Sequence, residues 1–511
     1  MKKTGTALFE LIHSLAMAEK KYFKMFSSLK GGDKSYLKLY DAIEKQDRYN
    51  EDAIRSVCHG QKFLKRLSVA NGRLYNNILR SLENYHSSTD INLRSQLNKA
   101  EILLRKGLTA QALLLLKKAK LSAYHHEHWE LLIEILTMER IPCTSMDLLK
   151  IPHLNEEMGA VQQKLSNIKD YRTIHHKIIQ QIQEGESMRT KEEQVLAAKL
   201  MRHPLLRNPQ QASCAEAKTY YYEIRSLYYF FKRDFTQGYK TAKEQCSFIE
   251  THLHQLRDPE KRYLFALNIL GIFLEDIVPT HRNKYGEMQE VLQKIRSYPI
   301  TSPEVKATFW ISSYINELNV LMRMGDFEKI FSTLKAIEEN EDLLKEATAI
   351  TKKNLYYNIA YMLFGAGRYN EALLWLRKIL DQPASELRKD TQALSHILSL
   401  LIHYELHKDE EWLDSLKRSA LHFLSTRHRF FKMEQAFMHC LRQIMGKAIS
   451  KKKRSAALQE LKTNLLKLRK YPMEKAAMEE FDFLSWVESK IQNKTFAEVV
   501  REKAKPAALN P

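Results

Sequence analysis

Glycine and proline are scarce in this chain, at 15 and 12 of 511 residues. Many short strands joined by tight turns would need more of both, and alternating β-branched runs are few, so an all-α protein is expected. Cysteine is rarer still. Its five residues (Cys58, Cys143, Cys214, Cys246, Cys440) are odd in number, scattered and without a C-x-x-C pair. That pattern argues against a disulfide framework and predicts reduced, buried thiols. No apolar run reaches the ~20 residues of a membrane span. Near the N-terminus Glu10, His13 and Glu19-Lys20-Lys21 interrupt the apolar residues, so an amphipathic helix is expected there rather than a signal peptide. From these absences a soluble, cytoplasmic protein with no membrane partner is expected.

Enzyme signatures are missing too. There is no G-x-S-x-G and no glycine-rich dinucleotide fingerprint. Lys30-Gly31-Gly32-Asp33-Lys34-Ser35 has the composition of a phosphate loop without the spacing or the preceding strand. The expectation is a non-enzymatic protein with no cofactor, no metal and no catalytic set.

What is present is ample apolar material, 44% of residues, and an uneven charge of +20. Two or three domains, or one long solenoid, fit this length. Between Lys417 and Lys475 sixteen Lys/Arg face three Glu, a local excess of +13. Within it Arg427, Arg429, Lys432 and the run Lys451-Lys452-Lys453-Arg454 form a basic patch, the run being readable as a nuclear-import or phosphate-binding cluster or as a solvated inter-helix turn.

Residues 1–90 read as an N-terminal bundle of short helices (Ala7–Leu15, Glu19–Leu29, Ser35–Lys45, Glu51–Leu67, Arg73–Tyr85) around Tyr22, Phe23, Phe26, Tyr36, Leu37 and Tyr40. In residues 91–203, Gly107, Ala112 and Ala119 mark a helix pair, Glu127–Arg140 a third helix, and Asn155–Glu184 a long one. The long helix has a heptad seam through Val161, Leu165, Ile168, Ile179 and Ile182, interrupted by Arg172 and His175. Pro204 to Ser213, with two prolines, is the linker candidate.

The stretch Asn354 to Pro383 organises the rest. Leu355, Ile359, Met362 and Leu363 fall at helical spacing, Gly367 stops the helix, and Ala372, Leu373, Leu376, Ile379 and Leu380 resume the period before Pro383. With its small Ala360, the turn Gly367-x-Tyr369-x-x-Ala372 and the closing proline, this segment resembles the tetratricopeptide repeat. One departure is Ile379, where the family prefers alanine. Turns at Gly325, Gly367, Asp409 and Lys451 are 42 residues apart, and regular spacing implies stacked helix pairs. A tetratricopeptide-like solenoid is therefore expected over residues 212–492, with a short helix and tail over 493–511. Asp414, standing where Ala372 would, departs from the pattern. Ser302-Pro303-Glu304 and Thr495-Phe496-Ala497-Glu498 read as helix starts.

The resemblance implies that the first helix of each pair lines a concave groove for a peptide or partner helix. On this register the groove comprises Ile315, Asn319 and Arg323, then Asn354, Tyr357 and Tyr361, then His396, His403 and His407. Its aromatic and cationic character suits a protein or peptide partner bearing acidic and apolar groups. A plainer reading puts the tyrosines in the core and the histidines on the surface. Thr219 to Phe231, TYYYEIRSLYYFF, could stack nucleic-acid bases, but a helix packed on both sides needs the same residues. The runner-up function is a nucleic-acid-binding or peptide-responsive regulator using the basic block on phosphate.

Overall fold

The computed structural model describes residues 4–29, 35–85, 89–142, 150–185, 198–300, 302–381, 389–406, 418, 431–444 and 450–504. Helix dominates throughout, and no strand occurs among the described residues. The chain divides into two compact units, Met1–Leu165 and Ser166–Pro511.

In the first unit, α1 (Thr4–Ser14), α2 (Met17–Leu29), α3 (Ser35–Glu44), α4 (Glu51–Val57) and α5 (Leu67–Tyr85) share one core built on Leu8, Ile12, Phe23, Tyr40, Leu74 and Ile78. The expected fourth helix is cut short at Val57. Asn50 caps its start (Ala53 N to Asn50 Oδ1, 3.1 Å), and Gly60 at φ +81° turns the chain into a 3-10 segment, Lys62–Arg66. Of the expected aromatic core only Phe23 and Tyr40 are fully buried, at a ring separation of 5.0 Å; Tyr22, Phe26 and Tyr36 are half-buried.

Next, α6 (Thr89–Arg105) and α7 (Thr109–His125) form a hairpin about Gly107, at φ +75°, and α8 (Trp129–Arg140) packs on α7. Ala112 and Ala119 are fully buried, as the close approach of two helices requires. The long α9 (Lys150–Gly185) follows. Its buried line runs through Val161, Ile168, Tyr171, Ile174 and Ile178 rather than along the expected heptads. A straight helix drifts ~20° per heptad, so the seam slips by residues as it advances.

The linker candidate is instead pinned within the second unit as two 3-10 turns, Pro204–Leu206 and Pro209–Gln211. Tyr171 donates to Leu205 O (2.5 Å), Asn167 donates to Gln211 O (3.1 Å), and Ser213 N donates to Asn167 Oδ1 (3.0 Å).

Beyond it, α10 (Ala215–Lys232), α11 (Phe235–His252), α12 (Pro259–Ile277), α13 (Tyr285–Ser297) and α14 (Pro303–Met324) each pack on the next. Then come α15 (Ile330–Glu338), α16 (Glu341–Glu346), α17 (Ala349–Gly365), α18 (Tyr369–Leu380) and α19 (Lys389–Glu405). A second set of contacts joins α10 to α12, α12 to α14, α14 to α17 and α17 to α19, so alternate helices form an inner row. The middle of this row is apolar on both sides, as burial on both sides demands. Phe309, Val320 and Met324 of α14 enter one core with α11–α13, while its Trp310, Ile311, Leu318 and Leu321 enter another with α17–α19.

The two glycine turns stand where the spacing places them. Gly325 ends α14 at φ +75°, with Asp326 N bonded to Leu321 O (3.0 Å), and Gly367 follows α17 at φ +73°, with Arg368 N bonded to Leu363 O (2.8 Å). Further on, Asp409 and Asp414 lie outside the described residues. Lys451, expected in a turn, instead begins a helix because Ser450 caps it (Lys453 N to Ser450 Oγ, 3.3 Å).

The last helices are α20 (Lys432–Ile444), α21 (Lys451–Leu468), α22 (Pro472–Glu479), α23 (Phe483–Gln492) and α24 (Phe496–Ala504). Both predicted helix starts are made: Val305 N donates to Ser302 Oγ (3.4 Å), and Thr495 and Glu498 exchange bonds of 2.8 and 3.2 Å. Residues 479–504 fold back, with α24 packed on α14. Phe481, Phe483, Trp486 and Phe496 enter the same core as α17. Cys58, Cys214, Cys246 and Cys440 are buried and in no disulfide among the described residues, while Cys143 lies outside them.

Candidate functional site

Folding residues 479–504 against the inner row leaves a cavity of about 1050 Å³ within the second unit. Its walls are Phe230 and Phe231 of α10, Glu275 and Asp276 of α12, Asn316, Asn319 and Arg323 of α14, and Tyr357, Asn358 and Tyr361 of α17. Lys475, Glu479, Glu480, Asp482 and Lys503 face them from the C-terminal segment.

A polar ladder crosses three inner helices. Asn358 donates to Asn319 Oδ1 (2.8 Å), and Asn319 donates to Glu275 Oε2 (2.9 Å). With its amide nitrogen turned toward α12, Asn316 donates to Glu275 Oε1 (2.9 Å). Such groups sit on otherwise apolar helices only because they satisfy one another; an unpaired one would cost ~1–3 kcal/mol. Burial pushes the Glu275 carboxyl up to about 8, against the opposing pull of Arg323 and Asn319. Near neutral pH it is therefore a neutral acid, able to donate as well as accept.

The cations are largely matched. Arg323 pairs with Asp276 and donates to Glu275 O (3.3 Å). Arg233 pairs with Glu479, and Lys503 with Glu488 at 2.6 Å. Arg469, also on the wall, is exposed and has no ion-pair partner among the described residues.

Of the nine groove positions expected from sequence, Ile315, Asn319, Arg323, Tyr357 and Tyr361 come together on this cavity. The tyrosines are core residues, 5% and 6% exposed. Tyr357 donates to Glu480 O (3.3 Å), and the Tyr361 hydroxyl accepts from Asp482 N (3.0 Å), so the chain itself occupies their hydroxyls. Burial raises both phenol pKa values. Asn354 accepts from Thr391 instead (3.4 Å). His396 is half-buried, with its pKa lowered by burial, and His403 is buried; neither lines the cavity. His407 lies outside the described residues.

In the basic patch Lys432 and Lys451 through Arg454 are exposed, and Arg427 and Arg429 lie outside the described residues. The aromatic run becomes α10. Tyr221 and Tyr222 are buried, whereas Phe230, 41% exposed, opens onto the cavity. Sequence reasoning missed Glu275, Asn316, Asn358 and Phe230. The signal for Glu275 was an acid pair ending the apolar run LFALNILGIFLEDI, which a buried helix carries only with partners.

Compared with family models, with curated proteins and with solved structures, the chain matches none.

Proposed function

We propose that this chain is a non-enzymatic, cytoplasmic binding scaffold: a tetratricopeptide-like solenoid that holds a segment of a partner protein or a peptide in the cavity of its inner row. The observation that carries the reading is the Glu275–Asn319–Asn358 ladder beside Phe230. It sets donors, acceptors and an apolar anchor around one concave space, the combination a peptide segment needs. The paired glycine turns and the alternate-helix contacts support the repeat reading. Because Asp276 and Glu479 already neutralise Arg323 and Arg233, the preference for acid narrows to the exposed Arg469.

The test is affinity purification from the native cell with nuclease treatment, comparing wild type with Phe230→Asp. That substitution places a charge on the cavity wall without removing a core contact. A protein that survives nuclease and is lost with Phe230→Asp supports the scaffold. The nucleic-acid reading has its own support in the four exposed cations Lys451 to Arg454, which have no ion-pair partner among the described residues. Recovery of polynucleotide that Phe230→Asp leaves untouched, and that Lys451→Glu with Lys453→Glu removes, would replace the first reading with the second.

A further inference from the structure

The first unit carries an apolar face that none of its own packing uses. In α7, Ala112, Leu116, Ala119 and Ala123 point inward, yet Leu114 and Leu121 are 59% and 67% exposed, and Leu113 is 37% exposed. A helix apolar on every side belongs in a core; here one side faces solvent.

The charge around this face has one sign. The α7 sequence contains no Asp or Glu. Lys117 and Lys118 each lie three or four residues from both leucines, so they flank the Leu114–Leu121 line on its two sides. Both are exposed and have no ion-pair partner among the described residues. Lys120, by contrast, turns inward to Glu139 (3.0 Å) and Glu157 (2.7 Å).

We propose that α7 docks peripherally on an anionic lipid bilayer, with Leu114 and Leu121 at the acyl boundary and Lys117 and Lys118 on headgroup phosphates. A bilayer lets the stems of these flanking lysines lie flat beside the leucines while their ammoniums reach anionic headgroups. No helix among the described residues is long and apolar enough to cross a membrane, so the contact is confined to one leaflet.

The test is flotation of the full chain with vesicles of phosphatidylcholine alone and of phosphatidylcholine mixed with phosphatidylglycerol, at physiological salt. The mixed vesicles are expected to carry the protein, and Leu114→Ser with Leu121→Ser to lower partitioning about tenfold. Lys117→Glu with Lys118→Glu should abolish the preference for the anionic lipid, while Lys451→Glu with Lys453→Glu leaves it unchanged. Because all four residues are exposed, the circular-dichroism melts should coincide with wild type. As a second readout, emission from Leu114→Trp should shift to the blue on adding mixed vesicles. Failure to float, unchanged flotation of the leucine variant, or loss through the 451/453 variant instead would each overturn the proposal.

Discussion

The Tyr361 hydroxyl accepts a hydrogen bond from the backbone N–H of Asp482 at 3.0 Å, tying α17 to a turn 121 residues further along the chain. One helical turn earlier, Tyr357 donates to Glu480 O. Between these two bonds Phe481 is buried against Tyr361, Phe364 and Phe496, with ring centroids 4.7, 5.7 and 5.8 Å apart.

Removing only the hydroxyl separates the bond from the packing. Tyr361→Phe leaves the Asp482 N–H without its partner and is expected to cost ~1–2 kcal/mol in urea unfolding. Tyr361→Ala also opens a cavity and should cost ~3–5 kcal/mol. A Tyr361→Phe variant as stable as wild type would mean that the hydroxyl contributes nothing, and equal losses for the two variants would mean that the ring packing does not.

The two glycine turns share a backbone conformation but not a neighbourhood. A Cβ at Gly367 would meet nothing within 4 Å, so Gly367→Ala carries only the left-handed penalty of ~1 kcal/mol. At Gly325 it would lie 2.7 Å from Arg501 Cγ and 3.0 Å from Arg501 N, while Arg501 also donates to Gly325 O at 2.9 Å. Gly325→Ala must displace α24 and should cost ~1–3 kcal/mol more. Matching thermal shifts for both variants would show that α24 is not held there.

Elements written in neighbouring residues were legible beforehand. The Ser302 cap, the Thr495–Glu498 box, the Gly107, Gly325 and Gly367 turns and the buried Ala112, Ala360 and Ala372 all depend on residues within a turn or two. The site was legible only on one wall. The register of the tetratricopeptide resemblance implied a common face for Ile315, Asn319, Arg323, Tyr357 and Tyr361, but the wall opposite is made by residues 479–504, and no local pattern records a contact that distant. Counting residues also misled at Lys451, where a uniform spacing was extrapolated past a serine able to start a helix.

Glu275 makes stability depend on pH. Its carboxyl moves from an ordinary 4.5 to about 8 because burial penalises the charged form. Above 4.5 the unfolded chain releases this proton while the folded chain keeps it, so stability falls as pH rises from 4.5 toward 8 and levels off beyond. Buried Glu223, pushed up to about 7 by burial despite Arg262, adds a slope of the same sign. Glu275→Gln keeps an acceptor for Asn319 and cannot ionise. It should flatten the decline and leave the variant more stable than wild type at pH 9, by on the order of a few kcal/mol in denaturant titrations. Parallel stability curves for variant and wild type would rule out a buried neutral acid at this position.

The start of α21 is electrostatically unfavourable. Four cations occupy its first turn, at the positive end of the helix dipole, with only the Ser450 hydroxyl to help. Lys452→Glu reverses one of these charges and should stabilise the protein by ~0.3–1 kcal/mol, less at high salt. A thermal midpoint that falls would place Lys452 in a favourable contact instead.

Phe327, Tyr361 and Phe364 are covered in the folded protein by Phe481 and Phe496. On the ribosome that cover does not yet exist when α17 emerges. At ~5–20 residues per second, the ~120 residues separating the two halves of this core take on the order of ten seconds to synthesise. For that interval the nascent chain displays an aromatic surface to its surroundings, where it is sticky toward other chains and recognisable to holdase chaperones. Expression yield should therefore respond more strongly to chaperone supply and translation speed than the stability of the finished protein would suggest.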